Sequence, residues 1–217
     1  MHAPAPMTAI QPPGLPFSQA CENNKAPILA VLAQAFADRR HVLEIGSGTG
    51  QHGVHFAPRL PHLVWQTSDL AENHAGIRAW HALHPAPNLR PPLLLDLQGG
   101  YWPPGAFDAV FTSNTTHIVA WPLVQRLFAL AGAHLPPGGV LAVYGPFNYG
   151  GGFTSDSNRA FDAWLRARDP ASGIRHFEDI AALAARHGLA LERDHAMPAN
   201  NRLLVFRRGG AQATAVE

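Results

Sequence analysis

Glu44-Ile-Gly46-Ser-Gly48-Thr-Gly50 follows a short apolar run, His41-Val-Leu-Glu-Ile45, and precedes a stretch, Gln51 to Ala57, that starts like a helix. A strand, a loop of alternating glycines and a helix in that order form the first turn of an open parallel sheet. Glycine lets the backbone turn sharply and approach a ligand closely, and ligands of such sheets bind beyond the carboxyl ends of the strands. Outward from this loop the pattern repeats. Leu63 to Ser68, Pro92 to Leu97, Phe107 to Ser113 and Val140 to Tyr144 read as further strands. Ala26 to Ala37 precedes the first strand as a helix, and Ala71 to Leu83 and Leu123 to His134 are helices between strands. The strands are continuous apolar runs, as expected where both faces of a sheet are covered. After a Gly/Asn/aromatic stretch, Pro146 to Thr154, come helices at Ser157 to Arg168 and Phe177 to His187. Leu189 to His195 and Asn201 to Arg207 are then two strands too close together for a helical crossover, so they form an antiparallel hairpin. The expected architecture is a Rossmann-like, doubly wound α/β fold whose seven-stranded sheet is mostly parallel and closed by that hairpin.

Composition limits what such a fold does here. The chain has 217 residues, 47% of them hydrophobic and only 14% charged, with a formal net charge of +1. Average soluble proteins carry about 25% charged residues. The near-zero balance disfavours a nucleic-acid binder that relies on a dense phosphate-neutralising patch. Cys21 is the only cysteine, which excludes an internal disulfide and a cysteine-rich zinc site. His52 and His55 share a helix face, but no third ligand stands near them in sequence, so no metal site is expected. The start of the chain lacks a basic segment followed by an apolar one, and no run of about 20 apolar residues occurs, so a cytoplasmic protein without a membrane span is expected. Residues 1–19 are expected to be a mobile arm, 20–208 one domain, and 209–217 a flexible tail. A monomer or homodimer is expected.

Four readings compete for the glycine loop. It is a tight turn without a ligand, or it cradles a phosphate, a dinucleotide or S-adenosylmethionine. A phosphate loop needs Gly-Lys-Ser/Thr, and Gly50 is followed by Gln51-His52. A dinucleotide fingerprint is met by Gly48, Gly50 and Gly53, with Asp69 about 20 residues on as the ribose-binding acid. That register supports an NAD(P)-dependent oxidoreductase. An S-adenosylmethionine loop is met by Glu44, Gly46, Gly48 and Gly50, the acid holding the loop and the amino-acid end of the cofactor. Asp69 and Leu70 at the end of the second strand suit the ribose, and Asp96-Leu97 at the end of the third suits the adenine. Each aspartate also reads as an ordinary cap of the following helix, but together at successive strand ends they favour S-adenosylmethionine.

These elements resemble the successive motifs of class I S-adenosylmethionine-dependent methyltransferases: Glu44-Ile-Gly-Ser-Gly-Thr-Gly50, Asp69, Asp96-Leu97 and Leu135-Pro-Pro-Gly-Gly139. A narrower likeness is carried by Glu22-Asn-Asn24-Lys25-Ala-Pro27-Ile-Leu29, Gly50-Gln-His52, Trp65-Gln-Thr-Ser-Asp69, Tyr144-Gly-Pro146 and Met197-Pro-Ala-Asn-Asn201. They resemble a methyltransferase-like family formerly labelled a domain of unknown function, with bacterial members and a human one. The likeness runs from about Ala20 to Arg208. The family tends to have Arg where this chain has Asn23, a second acid near Ala71, and Pro where Thr67 stands. The resemblance implies the fold, the cofactor and an arm carrying Asn24 and Lys25 inward over it. It implies no substrate.

Methyl transfer is an in-line displacement in which the protein positions the nucleophile and excludes water. A base is needed only when the nucleophile arrives protonated. Asn114, after the fourth strand, suits the cofactor's amino-acid portion. His117 is the candidate base, with a structural histidine as the alternative. Tyr144 and Asn148, after the fifth strand, are the other candidate catalytic groups, and the aromatics up to Phe153 are candidates to stack on a substrate. Asn200 and Asn201 open the last strand and are candidates for the same mouth. The absence of a basic surface and of a recognition domain favours a small-molecule acceptor over nucleic acid or protein. A non-methyl-transfer use of the same cofactor, such as intramolecular cyclisation releasing methylthioadenosine, and a non-catalytic cofactor-binding protein are the alternatives.

Overall fold

The computed structural model describes residues 14–210. The expectations for residues 1–13 and 211–217 lie outside the described residues. Strands β1 (His41–Ile45), β2 (Val64–Asp69), β3 (Leu89–Leu94), β4 (Ala109–Ser113), β5 (Val140–Asn148), β7 (Leu189–Met197) and β8 (Asn201–Arg208) form one sheet in the order β3-β2-β1-β4-β5-β8-β7. The first five run parallel, and β8 is antiparallel to both β5 and β7. The doubly wound sheet with its closing hairpin is therefore as the sequence implies. An eighth strand was not expected: β6 (Arg175–His176) is two residues long and pairs with the far end of β5 at Phe147 and Asn148.

Helices α1 (Gln19–Ala35), α2 (Gln51–Phe56) and α3 (His74–Leu83) cover one face. Their core gathers Ile28, Leu32, Phe36, Phe56, Trp65 and Phe111. Helices α4 (Trp121–His134) and α6 (Phe177–Arg186) cover the other, where Leu43, Val110, Phe128, Phe147, Ile180 and Phe206 meet. Alternation along β1 shows the two-sidedness: Val42 belongs to the first core and Leu43 to the second. Helix α5 (Asp156–Arg168) stands at the carboxyl end of β5.

Three boundaries differ from the sequence reading. Helix α1 begins at Gln19, not Ala26, because Ser18 caps it by accepting the Cys21 N–H at 3.3 Å, with Glu22 in the first turn. Pro27 is thus inside the helix rather than at its start. Strand β3 ends at Leu94, three residues before Leu97, and includes Pro91 and Pro92. It is an edge strand, where prolines are tolerated. Strand β5 runs on through Gly145, Pro146 and Phe147 to Asn148, all buried, where a loop from Pro146 was expected.

The described part of the expected arm, Gly14 to Ser18, is fastened to the domain. The Trp80 indole donates to the Pro16 carbonyl at 2.7 Å, and the Ser18 N–H donates to Gln51 Oε1 at 2.6 Å. No helix of the described residues is long and apolar enough to cross a membrane.

Candidate active site

The glycine loop requires its glycines. Gly46, Gly48 and Gly50 have φ of +73°, +57° and +89°, in the left-handed region. A Cβ on Gly46 would also stand 2.9 Å from Thr115 Oγ1, and one on Gly50 would stand 3.1 Å from the Ile77 backbone. At Gly48 the space is open, so that turn is bare on its outer side. Gly53 lies inside α2, where a Cβ would meet Thr67 Cγ2 at 2.9 Å and Glu44 Oε2 at 3.4 Å. Close packing of helix on sheet accounts for that glycine.

The acids divide in role. Glu44 points under the loop, 2% exposed, and accepts the Trp65 indole N–H at 2.9 Å. Burial pushes its carboxyl up to about 7, and the charge of Asp69 adds to the rise against the donors Trp65 and Ser47. Its backbone carbonyl accepts the Ser68 hydroxyl at 2.6 Å, and the Ser47 hydroxyl in turn accepts the Ser68 N–H at 3.1 Å. Glu44 thus braces the loop from inside the fold. Asp69 stands at the end of β2 and reaches the loop itself. Its Oδ2 accepts the Gly48 N–H at 2.6 Å, and its Oδ1 accepts the Leu70 N–H at 2.7 Å and the Asn73 amide at 2.8 Å. Leu70 is exposed. The Leu95 N–H donates to the Asp69 carbonyl at 3.0 Å, which brings the start of the Leu95–Leu97 segment beside it. Leu97 is buried in the second core, whereas Asp96 is exposed and, among the described residues, accepts only the Gln98 N–H, at 2.8 Å. Asp96 therefore sits in a loop beyond β3 rather than at the strand's end.

Beyond β4 the chain turns through Asn114, whose φ of +58° is left-handed and whose N–H donates to the Tyr144 carbonyl at 2.9 Å. Ser113 Oγ, Thr116 Oγ1 and His117 Nδ1 are buried here without a hydrogen-bond partner among the described residues. Buried polar atoms are rarely left so, and three at one strand end mark a place where polar ligand groups fit. The segment is held by Arg175, which donates to the carbonyls of Thr116 at 2.9 Å, Val119 at 2.6 Å and Ala171 at 2.9 Å.

A cavity of about 840 Å³ opens beside this segment. Asn24 of α1, Asn114, His117 and Tyr144 lie at its polar end, and Phe161, Trp164 and Leu165 of α5 form its apolar wall. The turn between β7 and β8 closes it with Pro198, Ala199 and Asn201. Asn24 Oδ1 is bonded to His52 Nε2 at 2.7 Å, and His52 stacks on Phe56 with ring centres 5.1 Å apart. Burial holds His52 neutral, its pKa lowered to about 3. Burial also raises the pKa of the Tyr144 phenol, which lies beside Asn24. His117 is 3% exposed, edge-on to Phe161 at 5.4 Å, and lowered to about 4 by burial and by the charge of Arg175.

Of the expected site residues, the structure brings Asn24, Asn114, His117 and Tyr144 together around the cavity. Gly46, Gly48, Gly50, Asp69 and Leu70 form the neighbouring loop end. Two expected site residues stand apart from the cavity lining. Lys25 is ion-paired with Glu22 on α1 and does not line the cavity. Asn148 is buried at the end of β5, its Oδ1 without a partner, and is likewise absent from the lining. The aromatics after it turn elsewhere: Phe147 is in the core, Tyr149 stacks on Phe177 and donates to Asp194 Oδ2 at 2.8 Å, and Phe153 lies under Arg159. Asn201 lines the cavity and Asn200 does not. Sequence reading missed Phe161, Trp164, Leu165 and Arg168. Their spacing of three, four and seven along one helix was the available signal. Among the described residues, no group of three His, Cys, Asp or Glu is gathered to hold a metal ion.

A family model described as a protein of unknown function, DUF938, matches residues 15–208. Solved structures with the same fold include the mitomycin 7-O-methyltransferase MmcR, 19% identical, with a TM-score of 0.77 over 88% of this chain and 54% of that one. An O-methyltransferase family protein from Burkholderia thailandensis, also 19% identical, gives 0.73 over 87% and 57%. PigF, solved with SAH, is 16% identical and gives 0.74 over 85% and 56%. The chain thus spans little more than half the length of these proteins.

Proposed function

The chain belongs to the DUF938 family, and from that footing we propose that it is an S-adenosylmethionine-dependent methyltransferase acting on a small-molecule acceptor. The observation that carries this is the adjacency of two places: the left-handed glycine turn tied to Asp69, and the cavity that begins at Asn114. The residues present fit the cofactor. The turn is bare at Gly48, Asp96 is an exposed carboxylate with acceptor capacity to spare, and the polar atoms of Ser113 and Thr116 lack partners. Asp69 and Asp96 would take the ribose and adenine ends, and Asn114 with the Gly46 turn the amino-acid end. When bound, the cofactor supplies an electrophilic methyl group on a sulfonium. The likeness to O-methyltransferases supports the reaction class through the fold.

The chain's own part is positioning and exclusion of water. Phe161, Trp164 and Leu165 give the acceptor an apolar wall, and Asn24 and Tyr144 give it hydrogen-bonding groups at the inner end. His52 fixes the Asn24 amide, because the oxygen that accepts from His52 turns the NH₂ group toward Tyr144 at the inner end of the cavity. Titration calorimetry with S-adenosylhomocysteine tests the reading. Binding is expected, and its absence would sink the proposal. Product analysis separates transfer from cyclisation: S-adenosylhomocysteine is expected, and methylthioadenosine alone would favour the cyclising reaction.

A further inference from the structure

We propose that the acceptor is a carboxylate, whose oxygen reaches the cavity already ionised, and that the product is a methyl ester. This rests on the methyltransferase reading above and names the substrate class of the same cavity.

The first observation is the lack of a place for a proton. A histidine that serves as general base has its second ring nitrogen held by a carboxylate or carbonyl, which orients the ring and stabilises the imidazolium. His117 Nδ1 has no such partner among the described residues. It faces the backbone of Gly145, where an added Cβ would stand 3.4 Å away. Phe161 of α5 packs against the ring in a T-shaped pair, and the like charge of Arg175 of β6 opposes an imidazolium. Asp162 of α5, the nearby acid, is already engaged by the Ile174 N–H at 2.7 Å and by Arg166 at 2.7 Å. Tyr144 and the amides of Asn24 and Asn114 are neutral. An acceptor that must lose a proton finds no group here suited to take it.

The second observation is the placement of the charges and the supply of donors. Arg168 stands at the mouth, its guanidinium 4.6 Å over the Trp164 ring, and forms no ion pair among the described residues. The one acid on the lining, Asp169, is exposed at the same mouth and accepts the Ala171 N–H at 2.9 Å. Among the described residues no carboxylate faces the interior, so no side-chain charge there would repel an anion. The side-chain NH₂ group of Asn23 is not used by other described residues and suits a carboxylate oxygen. The step then balances without a base. A carboxylate oxygen forms the new bond to the methyl carbon as the carbon–sulfur bond breaks. The sulfonium leaves as a neutral thioether, and no proton is released.

The experiment incubates the full chain with S-adenosylmethionine tritiated in the methyl group and a deproteinised metabolite extract containing both carboxylates and phenols. Mild alkali hydrolyses methyl esters to volatile methanol and leaves ethers and methylamines intact. Label released by alkali is expected. Label transferred in alkali-stable form overturns the proposal. No transferred label at all counts instead against methyl transfer itself. With the acceptor so found, His117→Gln is expected to lower kcat less than tenfold and to leave the pH profile flat between pH 6 and 9. Loss of a general base would cost about 100-fold or more and impose a slope. Arg168→Gln, at an exposed position, is expected to raise KM about tenfold at nearly constant kcat. An unchanged KM would remove the arginine from the argument.

Discussion

Asp69 Oδ2 accepts the Gly48 N–H at 2.6 Å, so the end of β2 holds the middle of the glycine turn that follows β1. The Ser68 carbonyl strengthens the link by accepting the N–H groups of both Gly46 and Ser47, at 3.1 and 3.0 Å. One carboxylate therefore shapes the loop and faces the place proposed for the ribose.

Asp69→Asn replaces an acceptor-only carboxylate with an amide that has one acceptor oxygen. Affinity for S-adenosylhomocysteine is expected to fall about 10- to 100-fold, in line with the loss of one or two charge-assisted hydrogen bonds. Calorimetry reads the affinity. A thermal melt should show a loss of about 1–3 kcal/mol, since the Gly48 and Leu70 amides share a poorer partner.

Gly46→Ala and Gly53→Ala separate loop conformation from packing. At Gly46 the alanine is strained by a φ of +73° and by Thr115 Oγ1 at 2.9 Å, so both stability and cofactor binding should drop. At Gly53 the helical backbone suits alanine, and the cost is overpacking against Thr67 and Leu89. About 1–3 kcal/mol of destabilisation is expected, with weaker binding only to the extent that α2 shifts.

Stability should depend on pH through groups of opposite sign. The buried Glu44 carboxyl is raised to about 7, above its ordinary 4.5, so its contribution is fully present below pH 4.5 and is lost as pH rises through 7. His52 and His117 are lowered to about 3 and about 4, from 6.5. Their neutral forms suit the fold, so stability is lost as pH falls below 6.5, by about 2 kcal/mol for each at pH 5. His55 and His81, both lowered to about 4, act in the same direction. Denaturant melts should therefore show the protein weaker at pH 5 than at pH 7. Glu44→Gln should steepen that fall, because the gain from protonating Glu44 is gone. An unchanged slope would contradict the burial of this carboxyl.

Arg175→Lys replaces a fork that reaches three carbonyls with a single ammonium. The segment Thr116 to Val119 should loosen. Hydrogen exchange of the Ile118 and Val119 amides, both bonded to the Thr115 carbonyl at 3.0 Å, should accelerate while that of the glycine loop stays unchanged.

The β1–glycine–α2 turn was legible because three alternating glycines after an apolar run have few other uses, and the closing hairpin because its strands leave no room for a helix. The β3 boundary was not. Pro91 and Pro92 look like a stop, and only the position of β3 at the sheet edge makes them harmless. The start of α1 was obscured by Pro27, which mimics a first-turn proline. At the site, the residues at strand ends could be read from local order. Phe161, Trp164 and Arg168 were harder: their spacing puts them on one side of α5, but it does not say that this side meets a cavity whose other walls come from α1 and the β7–β8 turn. Asn148 misled for a related reason: a glycine- and asparagine-rich stretch reads as loop, yet pairing with β6 extends the strand through it and buries the side chain.

The cavity is bounded by Ser18 near one end of the described chain and Asn201 near the other, and Asn201 pairs with Pro146 across the sheet. Such a chamber is a product of late assembly. During synthesis from the amino end, β1 to β5 can pair while β8 is still unmade, but the wall formed by Pro198, Ala199 and Asn201 cannot exist. The contacts between β5 and β8 that complete it are long-range in sequence, like those between β1 and β4, and contacts of that kind slow folding. A nascent chain halted before Asn201 would thus display the glycine turn without that wall beside it, and completion of the hairpin is the event that finishes the cavity.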